Sequence, residues 1–291
     1  MIKKKIEDSS LREHLASLPE DGREVFFLHN NQVRVTAISA TTLVNQMRAN
    51  HELGLLETYV LGQAYLAAGL LSSTVKGNDR IQLTIECGGP IAGVYVEAWA
   101  AGAVRGYLKH NPIPLTKPLE SLDLNELYGP GFISVSKLLE GHKAPFTGQT
   151  MMAYGDLAKD LALYFQQSEQ TPTLFSFSIH FNKEGQVTGS GALFLQAMPG
   201  CEEHVREKLE EQAYALPSIG KKLAEGMSIK EYVEEQFGSY ELRHLARQPL
   251  GFSCPCSREQ YKTYLKQLDK AEQQDILEHG PFPLELVCVN C

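Results

Sequence analysis

"RIQLTIEC", residues 80–87, alternates apolar and polar side chains: Ile81, Leu83, Ile85 and Cys87 share one face, Gln82, Thr84 and Glu86 the other. That period predicts a half-buried strand, with Cys87 as a small core hydrophobe. Upstream, "YVLGQAYLAAGLLSSTV" (59–75) is the most apolar window. It is interrupted by Gln63, Ser72 and Ser73 and falls short of the roughly 20 residues a bilayer crossing needs. A helix over Leu55–Leu71, buried under a sheet, is the better reading. Thr41–Asn50 predicts a helix before it, with Gly54 between them, and "KGND" stops the second. Residues 24–39 read as two strands around Asn30 and Asn31, a hairpin.

Downstream, "GVYVEAWA", "GFISVSKLL", "TLFSFSIHF" and "GSGALFLQAM" supply further strands, and "GDLAKDLALYFQQSEQ" (155–170) an amphipathic helix. Strands mix with helices without a βαβ rhythm or repeats. The expected class is therefore α+β, with a mixed-sheet core domain and packed helices over residues 1–200.

After "MPG" (198–200) the composition changes. Val205, Leu209, Ala213 and Leu216 recur at helical spacing in an acidic run that Pro217 ends. Ser228 and Glu231 form a capping-box pattern opening a second short helix with Ile229, Val233 and Phe237 on one face. Helices this short are unstable alone in water, so each must dock its stripe on another surface. Residues 201–248 are therefore expected to be a helical linker that covers something.

The remaining 249–291 hold four of the six cysteines. Cys254-x-Cys256 and Cys288-x-x-Cys291 bracket an insert of 31 residues. Within it, Ser257 and Gln260 suggest another capping box, opening a helix with Tyr261, Tyr264, Leu265 and Leu268, and a second helical run ends near Gly280. A module of about 40 residues is at the lower limit of what an apolar core supports. Four thiolates around one Zn²⁺ would supply the missing stability, about 10–16 kcal/mol in small zinc peptides. C-x-C is tighter than the usual half-site, so an ordinary ribbon or finger is not indicated. On spacing alone a permanent structural zinc site is the simpler reading. The alternative is a redox switch, in which oxidation of paired thiolates expels the metal and unfolds the module with anything docked on it.

Charge and motifs narrow the classes. There are 27 basic against 35 acidic residues, a formal net charge of −8, which is unlike a general phosphate-backbone binder. The opening "MIKKKIEDSSLREHL" has no apolar run behind its charges, so a cytosolic location is expected and no membrane partner. Ser168, Glu169, Gln170, His142 and His180 have no catalytic partner by spacing, and Gly88, Gly89 and the "GPG" at 129–131 are turn glycines outside any nucleotide-binding motif. His279 reads as a helix C-terminal residue, not a fifth ligand. No catalytic residue and no enzyme activity is expected. Two alternatives stand beside this: a thiol-disulfide oxidoreductase using C-x-x-C, and a nucleic-acid-binding zinc module. The second is disfavoured by four Lys or Arg against six Asp or Glu in 254–291.

With these residues in place the chain resembles the 33 kDa heat shock protein family of redox-regulated holdase chaperones, through "VRGYLKHNP" (104–112), "YFQQSEQTPT" (164–173), "LFLQAMPG" (193–200), "FSCPCSRE" and "LELVCVNC". The resemblance implies an inactive, reduced form with one Zn²⁺ on Cys254, Cys256, Cys288 and Cys291. It implies that peroxide or hypochlorous acid, with heat, pairs Cys254 with Cys256 and Cys288 with Cys291, releases zinc and unfolds the redox-sensitive linker. It further implies ATP-independent binding of unfolding client proteins and a homodimer on activation, with no nucleic-acid partner. Family chains usually run past the last cysteine into an aromatic-containing tail, whereas this sequence stops at Cys291. Either a carboxylate beside that thiolate weakens metal binding, or the sequence stops short of a longer chain.

Overall fold

The computed structural model describes residues 3–118, 121 and 123–291; the first two residues of the charged opening lie outside that range. After α1 (Ser9–Ser17), the hairpin appears as β1 (Gly22–Leu28) and β2 (Val33–Ser39), with Asn30 and Asn31 in the left-handed region. The expected helices follow as α2 (Thr41–His51) and α3 (Leu55–Leu71). Next come β3 (Arg80–Cys87), β4 (Gly93–Trp99), β5 (Ala103–Leu108), α4 (Asn125–Tyr128), β6 (Gly131–Leu138), β7 (Phe146–Met151), α5 (Leu157–Ser168), β8 (Thr173–Phe181) and β9 (Val187–Ala197). The chain closes with α6 (Glu203–Tyr214), α7 (Ile219–Ala224), α8 (Ile229–Phe237), β10 (Arg243–Pro249), β11 (Gly251–Phe252), α9 (Arg258–Gln267) and α10 (Lys270–His279).

The strands form two sheets, ordered β10-β1-β2-β9-β8 and β11-β5-β4-β3-β6-β7. Helix α3 lies between them and touches strands of both. Its near-complete burial follows from its composition, since alanines, leucines and glycines cover most of its circumference. In β3, Ile81, Leu83 and Ile85 are buried as the alternation requires. Cys87 is half-buried and meets the core only from its edge, because the strand ends there.

The five-stranded sheet is covered on both faces. Ile38, Ala192 and Phe194 point toward α3 and the main core. One residue away in each strand, Val35, Ala37, Leu193 and Leu195 point the other way. On that outer face sit the three linker helices. Val205 and Leu209 of α6, Ile219 and Leu223 of α7, and Ile229, Val233 and Phe237 of α8 are all buried against it, with Tyr232 wholly enclosed. The surface that the linker stripes had to find is therefore the back of β1, β2 and β9.

Each helix is set by local chemistry. Ser228 accepts from the Glu231 N–H while the Glu231 carboxylate accepts from the Ser228 N–H, the full capping box. Ser218 caps α7, a helix too short to be read from the sequence. It fits because Gly189 and Gly220 let two backbones meet: a Cβ on Gly189 would lie 1.9 Å from the Gly220 carbonyl oxygen.

Strand β10 then returns along β1, and the polar sequence RHLARQP gave no sign of it. The buried Glu24 carboxylate holds it from below, 2.6 Å from His244 Nε2 and 3.3 Å from Arg247 Nε. At the joint with β11, the Leu250 N–H donates to the Asp21 carbonyl, and the Asp21 carboxylate accepts from the Leu43 N–H at 2.7 Å. Burial pushes that carboxyl up to about 6 against the pull of the α2 backbone N–H groups. The folded state therefore holds a proton more tightly than the unfolded chain, so this group favours folding at low pH and disfavours it as pH rises from about 4 through 6. Asp21→Asn should raise the melting temperature relative to the native sequence at pH 7.5 and lose that advantage at pH 4.5. An equal offset at both pH values would contradict the assignment.

Candidate metal centre

The path to the centre runs along β11, which pairs in parallel with β5. The Gly251 N–H donates to the Gly102 carbonyl and the Ser253 N–H to the Val104 carbonyl, so backbone pairing continues to the residue before Cys254. Gly102 is indispensable to that approach. Its φ is +93°, and a Cβ there would sit 1.8 Å from the Pro249 carbonyl oxygen. Cys254 is thereby fixed to the core and is buried.

Two residues on, Cys256 precedes Ser257, which caps α9 by accepting from the Gln260 N–H. The reciprocal half of the expected box is absent, because the Gln260 amide instead donates to the Tyr264 hydroxyl. Asp269 and Glu272 make a complete box at the start of α10. Neither α9 nor α10 buries a single residue. Apolar packing therefore does not hold this insert together.

Cys288 and Cys291 complete the set. The Cys291 N–H donates to the Cys288 carbonyl, the tight turn that C-x-x-C permits. Asn50 of α2 donates its amide to the Cys291 carbonyl at 2.9 Å, tying the segment to the core. The four sulphur atoms lie within 4.8 Å of one another. Cys254 and Cys288 are 3.7 Å apart, and Cys256 and Cys291 3.2 Å. A tetrahedral Zn²⁺ with bonds of about 2.3 Å requires sulphurs about 3.8 Å apart, so shifts of no more than about 1 Å would let the four thiols take up such an ion.

Electrostatics separates Cys288 from Cys256. Burial raises the Cys288 thiol, but the Tyr261 hydroxyl, the Asn290 N–H and the neighbouring thiols outweigh it and bring it down to about 7. Cys256 goes the other way, raised by burial and by its hydrogen bonds to Cys291, Cys254 and Cys288. A metal ion would reverse that second effect, because coordination deprotonates a thiol outright.

All four cysteines singled out by spacing are brought together. His279 stands apart at the end of α10, with its ring nitrogen 2.9 Å from Asp275. Glu169 accepts from Lys137 at 2.7 Å, an ordinary ion pair at the end of α5. Tyr261 and Arg105 both reach cysteines; the sequence marks Tyr261 only as a helix residue and does not mark Arg105 as part of the site. Among the described residues, no helix is long and apolar enough to cross a membrane.

Comparison with known proteins finds relatives along nearly the whole chain. The family profile described as "Hsp33 protein" matches residues 21–291. The 33 kDa chaperonin of Lachnoclostridium phytofermentans is 32% identical over 264 residues, covering 90% of each chain. That of Bacillus subtilis is 31% identical over 265 residues, again 90% of each. The crystal structure of the 33 kDa chaperonin (heat shock protein 33 homolog) from Thermotoga maritima superposes with a TM-score of 0.81 at 29% identity, covering 94% of this chain and 93% of that one.

Proposed function

The chain belongs to the Hsp33 family, a chaperone family and not an enzyme class, and from that premise we propose that it is a redox-regulated, ATP-independent holdase. The observation that carries this reading is the centre's position. Four thiols meet in a module with no buried side chain in its helices, directly after a strap that follows a linker laid over an apolar sheet face.

In the reduced state Cys254, Cys256, Cys288 and Cys291 hold one Zn²⁺. Bound zinc supplies folding free energy, about 10–16 kcal/mol in small zinc peptides. The pairing Cys254 with Cys256 and Cys288 with Cys291 follows from the family resemblance; across the pairs, Cys254 lies 3.7 Å from Cys288 and Cys256 3.2 Å from Cys291. Each disulfide forms when a pair of thiolates loses two electrons, and the two protons needed to turn peroxide into water come from solvent. Hydrogen peroxide accepts the electrons and leaves as two waters.

Once oxidised, the cysteines no longer act as ligands, and α9 and α10 lose what orders them. The strap and the linker then detach from the sheet. The face formed by Phe26, Val35, Leu193 and their neighbours, covered in this structure by α6–α8, becomes the apolar surface for unfolding clients. Dimerisation of the oxidised form and action in the cytosol belong to the same proposal.

The test is suppression of aggregation of a thermally unfolding client. Peroxide treatment at elevated temperature should give one zinc released per chain and strong suppression, while the reduced, zinc-loaded chain gives little. Equal suppression by both forms would eliminate the switch. Reduction of small disulfides at enzymatic rates, or salt-dependent nucleic-acid binding, would instead favour the oxidoreductase or nucleic-acid reading.

A further inference from the structure

One core cation reaches the thiol cluster. Arg105 of β5 donates Nη1 to the Cys254 sulphur at 3.5 Å. Its other nitrogens are held by Glu97 of β4, with Nε and Nη2 at 2.8 and 2.6 Å from one carboxylate oxygen. The second oxygen of Glu97 lies 3.5 Å from Arg80 Nε. Trp99 lies against both cations, its ring centre 5.2 Å from the Arg105 guanidinium and 5.5 Å from that of Arg80.

This arrangement has a definite charge. Two guanidiniums and one buried carboxylate leave one net positive charge beside a site that, with four thiolates around a divalent ion, carries two net negative charges. Cys254 is 1% exposed, so water does little to solvate its sulphur as an anion. Arg105 takes that place, and it cannot lose its proton in doing so. The guanidinium is also preorganised, because Glu97 and Trp99 fix its plane before any sulphur arrives.

We propose that Arg105 is a positioning residue of the metal centre: its guanidinium supplies the counter-charge to Cys254 and thereby couples metal binding to the docking of the β11 strap on β5. This rests on the zinc assignment above and extends it to the core sheet. Part of the centre's metal affinity and resistance to oxidant then lies outside the cysteine module.

The reduced chain of residues 1–291 allows two independent tests. The first uses the native sequence, in which Trp99 is the sole tryptophan. Titrating zinc into the metal-free chain should change Trp99 emission in step with metal binding, because the charge that binding places on Cys254 acts on the Arg105 guanidinium lying against Trp99. Emission that stays constant while zinc binds would overturn the coupling.

The second compares Arg105→Met, Arg105→Gln and Arg105→Lys in competition with a chromophoric chelator. Loss of an outer-shell partner commonly weakens metal binding about 10–100-fold, and that range is expected for Met and Gln, with Lys between them and the native chain. The thiolate-to-cobalt absorption of the Co²⁺-loaded protein should shift in the Met and Gln variants, a signature that a purely structural role would not produce. Native affinity and an unchanged cobalt spectrum in both would overturn the inference while leaving the zinc assignment intact. Failure of the native chain to bind zinc at all would instead remove that assignment.

Discussion

Cys288→Ser is expected to weaken zinc binding strongly and to give a reduced chain that suppresses client aggregation without oxidant. If about 10–16 kcal/mol of structural zinc stabilisation is shared over four bonds, each ligand carries about 2.5–4 kcal/mol, or roughly 10²–10³ in affinity at about 1.4 kcal/mol per tenfold. The serine oxygen recovers little of this, because it is harder than sulphur and protonated at neutral pH. The module has no buried side chain in α9 or α10 to offset the loss. Zinc content by chelator titration and light scattering of the client check the two halves. Full zinc affinity in Cys288→Ser would show that the ligand set is misassigned.

Tyr232→Ala is expected to reach a similar active state by a different route, with its zinc retained. Tyr232 is wholly buried between α8 and the outer face of the five-stranded sheet. Its hydroxyl donates to the Pro217 carbonyl at 2.7 Å, which ties α8 to the turn before α7. Truncating a buried aromatic side chain costs about 3–5 kcal/mol, and the Pro217 carbonyl also loses its partner. The linker helices are too short to hold themselves once undocked. A loss of that size shifts the docking equilibrium by roughly two to nearly four orders of magnitude at about 1.4 kcal/mol per tenfold, so the reduced variant should act as a holdase at temperatures where the native sequence does not. Zinc retention with no gain in activity would indicate that the covered sheet face is not where clients bind.

How far these residues were legible beforehand depends on the range of the forces that place them. The strand at 80–87, the buried helix at 55–71 and the Ser228 capping box were read correctly because each is set by neighbours a few residues away. The four cysteines were legible for another reason: thiols in two tight pairs have few other uses, and the fold does bring them together.

Elements held by distant partners were not legible. Helix α7 depends on the meeting of Gly189 with Gly220, and β10 on the buried carboxylate of Glu24. The helical stripe of Ile229, Val233 and Phe237 does not mark Tyr232, because the sheet encloses a wider arc of α8 than that spacing defines. Arg105 is the clearest case. It stands 149 residues from the sulphur it touches, within a strand whose local pattern marks it only as polar.

The central claim is that the cysteine centre keeps the linker on the sheet, and amide hydrogen exchange across one oxidation experiment tests it most directly. In the reduced, zinc-loaded chain α8 should be protected together with β2 and β9. After peroxide has released the zinc, protection should be lost throughout residues 203–237, while β3 and β4 keep theirs. Zinc release with α8 as protected as before would contradict the account.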